Sequence, residues 1–418
     1  MTIIPIVLIT TVLGLLVASL YLTISNESPE TGEMVVLRWI FLGSLLLRLL
    51  VAIGSYYSLP YGYFAPDEIG YFAHAEQLAG HPLDLTQAFV AGGQGWFYFN
   101  AFLIQVFGVN RLEPRLWNAG VGALTPVFGY LLAKRLGAHS GATWSAILLA
   151  VFPSLVLWSS LNLKDVDVQC LILASLLAIS HLHEAAPYRR LLSLVPMIGV
   201  LYTLRQYTVV ALATAIAVAI LAPRVVVPRQ VAYALASVGV AVVAAVVIVP
   251  SAFQTLYVRA GLDKLAIIRH NLSAGARSAV DADPGLQTLR GAIAFLPRGL
   301  IDLLLRPFPW EQFGGLRPIV VPETILYYAI LVAAIVGLAF SRRFQPAQCL
   351  PLLAFFVVLS IGYALVLGNL GTSYRERAQL LVVMIAFAGV GVYGLRTVQS
   401  GLVRSRGGAA YGKQDHNA

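Results

Sequence analysis

Apolar residues occur along this chain in long runs, separated by short polar connections. An α-helix needs about twenty apolar residues to cross the hydrocarbon core of a bilayer. The runs predicted to cross are residues 2–22, 34–53, 116–132, 142–158, 166–183, 191–206, 207–222, 230–250, 323–340, 346–367 and 378–396. The pattern predicts an all-α polytopic membrane protein with about 10 transmembrane helices, in a range of roughly 9–12.

Two further segments predict helices that lie at the membrane interface. Residues 96–108 are apolar but too short for a regular crossing. Residues 286–305 are amphipathic, and Arg290, Arg298 and Arg306 follow one another along them in a slowly spiralling row. We expect both segments to lie along the membrane surface.

Basic residues mark every second connection between the predicted crossings, and this bias predicts the orientation of the chain. The basic residues that share one face are Lys134, Arg135, Arg189, Arg190, Arg224, Arg229, Arg342, Arg343, Arg396, Arg404, Arg406 and Lys413. By the positive-inside rule that face is the cytoplasm. The opposite face collects a first loop, 54–115, and a long segment, 251–322. The long segment is itself basic, but long loops are largely exempt from the rule.

The sequence shows no internal repeat and no low-complexity tract. Residues 1–398 are therefore predicted to form a single transmembrane domain. The polar residues 399–418 are predicted to be a disordered cytoplasmic tail.

Composition agrees with a membrane protein and excludes other classes. The 418 residues are 59% hydrophobic and 11% charged, with a mean hydropathy of +0.80, which is far outside the soluble range. Lys and Arg on an inner membrane face account for the net charge of +9, so no nucleic-acid partner is expected. Cys170 and Cys349 both fall in apolar runs, which argues against a disulfide framework or a metal knuckle.

The first outer loop contains a stretch, Tyr56 to Gly95, that has no lysine or arginine but carries several acidic residues. Within it, Asp67 and Glu68 follow Pro66 and open a sequence that predicts a helix. Acidic side chains in a first helical turn interact favourably with the helix dipole, so capping alone accounts for the pair.

A second acidic pair, Asp165 and Asp167, follows Lys164 at the predicted outer start of the crossing at 166–183. A solvated helix start accounts for this pair as well. Two acidic pairs on one face nevertheless point to chemistry, because carboxylates there can deprotonate a hydroxyl or bind a metal ion together with a phosphate.

These motifs resemble the GT-C superfamily of integral-membrane glycosyltransferases, especially the branch similar to protein mannosyltransferases and lipid A aminoarabinose transferases. That family carries an acidic pair in its first large outer loop, which Asp67-Glu68 with Tyr71 resembles. Its arginine and asparagine at the start of a crossing are similar to Arg115 and Asn118. The second acidic pair resembles the family's acidic site in the next outer loop.

The resemblance implies a sugar donor carried on a polyprenyl phosphate and a site on the periplasmic side of a bacterial inner membrane. It makes Asp67 the general base toward the acceptor hydroxyl, with Glu68 beside it. Asp165 and Asp167 would orient the acceptor or hold a divalent metal ion, and no other cofactor is expected. The acceptor would be a glycan, a lipid or a protein.

The resemblance also implies positive charge near the leaving phosphate. Two segments, 305–311 and 368–377, resemble membrane proteins of exopolysaccharide clusters and supply part of this charge. The substrate-binding candidates besides the acidic residues are Tyr71, Lys164, Arg205, Arg306, Trp310, Glu311, Arg375 and Arg377.

Two other functions remain open from the sequence. A polysaccharide polymerase or ligase would centre on Arg375 and Arg377 and would not need Asp67. A transporter or flippase of lipid-linked sugars would carry charges near the middle of the bilayer and an internal repeat, and the sequence favours neither feature.

Overall fold

The computed structural model describes residues 31–411, apart from 85–86, 89–93, 139–140, 183–186, 222–250, 275–278, 281–284 and 312–316. Over the described residues the chain is helical, and its β-pairing is limited to an isolated antiparallel bridge between Ala279 and Asn369. The all-α prediction is thereby confirmed. The crossings predicted at 2–22 and 230–250 lie outside the described residues.

The helices follow the predicted apolar runs closely. In chain order they are α1 Thr31–Ser58, α2 Asp67–Ala79, α3 Gly95–Phe107, α4 Glu113–Arg135, α5 Gly141–Val151, α6 Pro153–Trp158, α7 Asp165–Ser180, α8 Pro187–Leu204, α9 Gln206–Leu221, α10 Ser251–Ser273, α11 Leu289–Leu304, α12 Arg317–Phe344, α13 Pro346–Val366, α14 Leu370–Glu376 and α15 Ala378–Tyr411. The helix α15 continues into the segment that was predicted to be a disordered tail from residue 399.

Five helices of the described chain are long and apolar enough to span a membrane. They are Gly32–Ser58, Glu113–Arg135, Val320–Ser341, Pro346–Val366 and Ala378–Leu395. Helices α3, α5 and α9, together with Leu192–Leu204 of α8, are apolar but shorter. The larger predicted count of crossings stays a prediction.

The crossing predicted at 142–158 is interrupted, which corrects the sequence interpretation. Helix α5 ends at Val151, and Phe152 adopts an extended conformation before Pro153, as the residue before a proline often does. The Arg48 side chain donates to the free carbonyl oxygens of Ala150 (2.8 Å) and Leu149 (3.0 Å). A buried arginine thus satisfies backbone groups that the break leaves without helical partners.

Small residues bring the long helices into close contact. A Cβ atom on Gly337 of α12 would collide with the Phe387 carbonyl of α15, and one on Gly391 would collide with the Ala333 carbonyl of α12. Close backbone approach of this kind drives helix association in membranes, where lipid tails remove the hydrophobic advantage of burial.

The two segments predicted as interfacial helices are helical. Helix α3 is largely buried and packs with Phe72 and Ala75 of α2. Helix α11 buries one side, including Ala292 and Phe295, and leaves Ile293 exposed. The α2–α3 pair supports the start of α2, where the first acidic pair lies.

Candidate active site

Charged residues from four separate parts of the chain meet at one place. Arg375 Nη1 lies 2.5 Å from Asp67 Oδ2, and Arg375 Nε lies 3.5 Å from Asp165 Oδ2. Asp165 Oδ1 in turn lies 2.6 Å from Arg205 Nη2. We call Asp67, Lys164, Asp165, Arg205, Arg375 and Glu376 the charge cluster. It unites four of the predicted substrate-binding residues with the predicted general base.

Arg205 is the most heavily paired cation of the charge cluster. It is the single residue between α8 and α9, so its side chain leaves the helical pair at a break. Besides Asp165, it forms an ion pair with Glu376 and donates to the Tyr207 hydroxyl oxygen (2.6 Å). Glu376 also accepts from Gln379 Nε2 at 2.9 Å. The Arg205 charge is therefore already balanced by protein groups.

Asp67 is the accessible carboxylate of the charge cluster. Its side chain is 47% exposed, whereas that of Asp165 is 1% exposed. Burial by itself would raise the pKa of Asp165, but Arg375, Arg205 and Lys164 outweigh it and hold the pKa below its ordinary value. Asp165 is thus a fixed buried anion, and Asp67 is the carboxylate that a substrate can reach.

Glu68 lies beside Asp67 in sequence but has a different environment. Its carboxylate is fully buried and takes two hydrogen bonds from Arg115, at 2.9 Å and 2.8 Å. It also accepts from the Asn162 backbone N–H at 2.7 Å. With both oxygens occupied, Glu68 fits a structural role and not the predicted catalytic one.

The loop from Ser159 to Lys164 is fixed by buried hydrogen bonds. Asn118 Nδ2 donates to the Leu161 and Leu163 carbonyl oxygens, each at 2.6 Å. Asn162 Oδ1 accepts from Trp96 Nε1 at 2.9 Å. These contacts set the position of Lys164 and Asp165 directly after the loop.

Asp165 and Asp167 do not point at a common ligand. Residues two apart in a helix differ by about 200° in direction, and Asp167 Oδ1 accepts from Trp117 Nε1 at 2.9 Å. No group of three or more His, Cys, Asp or Glu side chains in the described part of the chain is arranged to hold a metal ion. The arrangement favours the acceptor-orienting interpretation of these aspartates over the metal-binding one.

Tyr71 and Lys164 complete the surroundings of the charge cluster. Tyr71 lies one helical turn after Asp67 and packs its ring against Phe97, with centroids 5.5 Å apart. Burial, with Asp165 nearby, raises the pKa of Tyr71, so its hydroxyl stays neutral. Burial, with Arg205 nearby, lowers the pKa of Lys164 to about 8.

The remaining predicted residues form a neighbouring group. Arg306 Nε donates to Glu311 Oε1 at 2.7 Å, and Arg377 Nη1 donates to the Arg306 carbonyl oxygen at 2.7 Å. Trp310 is 73% exposed and stacks on Phe308 with centroids 4.9 Å apart. Arg377 also lies over the Tyr327 ring, so its guanidinium is committed to protein contacts.

Several residues of the site were not among the sequence predictions for it. Arg115 had a signal, because its motif resembled the start of a family crossing. Glu376 also had one, because it stands between two predicted arginines. Asn162 had none, since a single asparagine in a short loop is common there for turn formation alone.

The helical membrane fold, an exposed carboxylate and the adjoining cations define the class of an integral-membrane glycosyltransferase. The profile of the dolichyl-phosphate-mannose-protein mannosyltransferase family matches residues 94–249, which is less than half of the chain. The predicted resemblance to the GT-C superfamily is thereby confirmed, and the match indicates a membrane glycosyltransferase that uses a lipid-linked sugar. No curated protein and no solved structure matches the chain.

Proposed function

We propose that this protein is an inverting glycosyltransferase that moves a sugar from a polyprenyl-phosphate donor to an acceptor at the extracytoplasmic membrane face. The observation that carries the proposal is the pairing of the accessible Asp67 carboxylate with Arg375 beside the buried charges of Asp165 and Arg205. A general base and a cationic partner for a leaving phosphate are the two groups that this transfer needs. The match to a family of lipid-linked mannosyltransferases supports the donor class.

The reaction follows from the roles of these groups. Asp67 takes the proton of the acceptor hydroxyl, and the acceptor oxygen attacks the anomeric carbon of the sugar. The bond between that carbon and the phosphate oxygen breaks, and the phosphate leaves with the electron pair and remains on the polyprenyl chain. Attack opposite to the leaving group inverts the anomeric configuration. Because the leaving phosphate finds cationic partners in the protein, the proposed reaction is independent of metal ions.

We place the reaction at the periplasmic face of a bacterial inner membrane, in the synthesis of cell-envelope glycans or exopolysaccharide. The distribution of lysine and arginine supports this orientation. The acceptor is a glycan, a lipid or a protein that offers a hydroxyl to Asp67. The donor chain stays in the bilayer, so membrane lipids surround the site.

The test is transfer of radiolabelled sugar from polyprenyl-phosphate donors to membrane acceptors by the wild-type protein and the Asp67→Asn variant. We expect a loss of roughly 100-fold or more, since a positioned general base contributes about 10²–10⁴ in rate. Glu76→Gln is the matched control, because Glu76 is an exposed carboxylate on the same helix. A parallel reaction with EDTA should leave transfer unchanged.

Full transfer by a folded Asp67→Asn variant would overturn the general-base role. The polymerase or ligase interpretation would then take its place, because it uses the Arg375–Arg377 segment and does not need Asp67. Loss of transfer with EDTA alone would instead establish a metal requirement and return attention to Asp165 and Asp167.

A further inference from the structure

The buried part of the charge cluster contains more positive than negative groups. Asp165 and Glu376 supply two buried carboxylates, whereas Arg205, Arg375 and Lys164 supply two guanidiniums and an ammonium group. Asp67 is half-exposed, so water solvates much of its charge. The buried groups therefore have a surplus of positive charge that one monovalent anion would balance.

Lys164 is the source of that surplus. Each arginine of the charge cluster has carboxylate partners, but Lys164 has no hydrogen bond or ion pair to any residue that the structure describes. It is partly buried and lies directly before α7, at the positive end of the helix dipole, which is unfavourable for a cation.

The ordinary explanation for Lys164 would be that it neutralises the nearby carboxylates. Asp165 and Glu376 do favour its charged form, but each is already paired with Arg205. Arg205 and Arg375 oppose that charged form. Since burial and these arginines prevail and lower the pKa of Lys164 to about 8, the protein alone does not provide the ammonium group with a full counter-charge.

We propose that Lys164 is the primary protein ligand of the phosphate on the lipid-linked donor. This inference rests on the proposed function and deepens it. A phosphodiester carries a single negative charge, which equals the surplus of the buried cluster. For Arg205 or Arg375 to bind the phosphate first, an existing ion pair would have to open, whereas Lys164 has its donors free. The arginines then act as fixed neighbours that confine the phosphate.

The test measures binding of polyprenyl phosphate, the carrier that remains after transfer, to the full chain in nanodiscs of zwitterionic lipid. Affinities are compared between pH 7.5 and pH 10, a range in which a phosphate monoester is already fully ionised because its second pKa is about 6. The variants are Lys164→Gln and Lys164→Arg. Lys264→Gln is the matched control, because Lys264 is an exposed lysine of α10 outside the charge cluster.

We expect three results. The wild-type Kd should rise as pH increases above about 8, because the ammonium group loses its proton and its attraction for phosphate. Lys164→Gln should bind about tenfold more weakly at pH 7.5 and should show no such rise, as expected on losing a charge-assisted hydrogen bond. Lys164→Arg should retain binding and should also lose the pH dependence, since a guanidinium stays protonated throughout.

The opposite results separate this inference from the proposed function. Binding that is equally tight in wild type and in Lys164→Gln would overturn the role of Lys164 and leave the donor class intact. A rise in Kd that persists in Lys164→Arg would also overturn it, because another group would then be titrating. Absence of wild-type binding at every pH would overturn both the donor class and the role of Lys164.

Discussion

Asp67 and Arg375 form an ion pair that a substrate can exchange. The pair lies where Asp67 is 47% exposed, and ion pairs in contact with water contribute only about 0–1 kcal/mol. Arg375 keeps a second carboxylate, Asp165, within 3.5 Å. Arg375 can therefore release Asp67 when an acceptor hydroxyl binds, without becoming an unpaired buried charge.

The Glu68–Arg115 pair differs from it in burial, and this difference leads to a prediction. Both side chains are buried, so Glu68→Gln leaves the Arg115 guanidinium without a counter-charge in a dry environment. Breaking one partner of a buried pair costs about 3–5 kcal/mol. We expect Glu68→Gln to lower the unfolding temperature strongly, as measured by thermal denaturation in detergent.

The double variant Glu68→Gln with Arg115→Gln is the control for that prediction. Removing the second charge should recover part of the lost stability, because no isolated charge then remains buried. A Glu68→Gln protein with wild-type stability but no transfer activity would contradict the structural role. It would restore Glu68 as a catalytic residue.

The sequence could identify the acidic pair but not which member of it is accessible. Asp67 and Glu68 are adjacent and chemically alike, and a helix turns by about 100° between them. Which carboxylate faces water depends on Arg115, a residue of another helix. Lys164, Asp165, Arg205 and Arg375 were predicted because charges at helix ends are visible in a sequence, whereas their pairing depends on tertiary packing.

At the scale of elements, the loop before α7 holds the buried end of the charge cluster in place. Asn118 of α4 donates to two carbonyl oxygens of that loop, and Asn118→Ala would leave both without this donor. Buried unsatisfied polar groups cost about 1–3 kcal/mol each. We expect Asn118→Ala to lower the unfolding temperature and to raise the KM for the donor.

The matched control for this prediction is Asn271→Ala, because Asn271 is an exposed asparagine on α10. It should change neither stability nor KM. If Asn118→Ala lowered stability but left KM unchanged, the loop would not position Lys164 and Asp165 for binding.

Apolar runs predicted where helices lie more accurately than where they break. The break at Arg205 was predicted, because a polar pair interrupts the apolar run there. The break before Pro153 was not, because hydropathy records only that the residues on both sides are apolar. Whether a proline interrupts a helix depends on partners for the freed carbonyl groups, and Arg48 of α1 provides them.

At the scale of the whole molecule, α4 connects the charge cluster with a second ionic contact. Arg115 lies at its first turn beside Glu68, and Lys134 lies at its last turn, 2.6 Å from Glu33. Nineteen residues of helix extend about 28 Å, close to the roughly 30 Å of a bilayer core. The two contacts therefore belong to opposite membrane faces.

This separation gives a prediction about topology that single cysteines can test. Cys170 and Cys349 are both buried, so an introduced exposed cysteine is the group that a membrane-impermeant maleimide labels first. Glu76→Cys lies on α2 near the charge cluster. Gly32→Cys lies beside Glu33, in open space. In intact spheroplasts we expect Glu76→Cys to react and Gly32→Cys to react only after the membrane is permeabilised.

The reverse labelling pattern would put the charge cluster in the cytoplasm. Lysine and arginine at the Lys134 end would then lie outside, against the usual bias. A cytoplasmic site also has access to soluble nucleotide sugars, so the main reason for a lipid-linked donor would be lost. Labelling of Glu76→Cys from outside, by contrast, leaves a lipid carrier as the natural route by which an activated sugar reaches Asp67, because the donor must be delivered through the membrane.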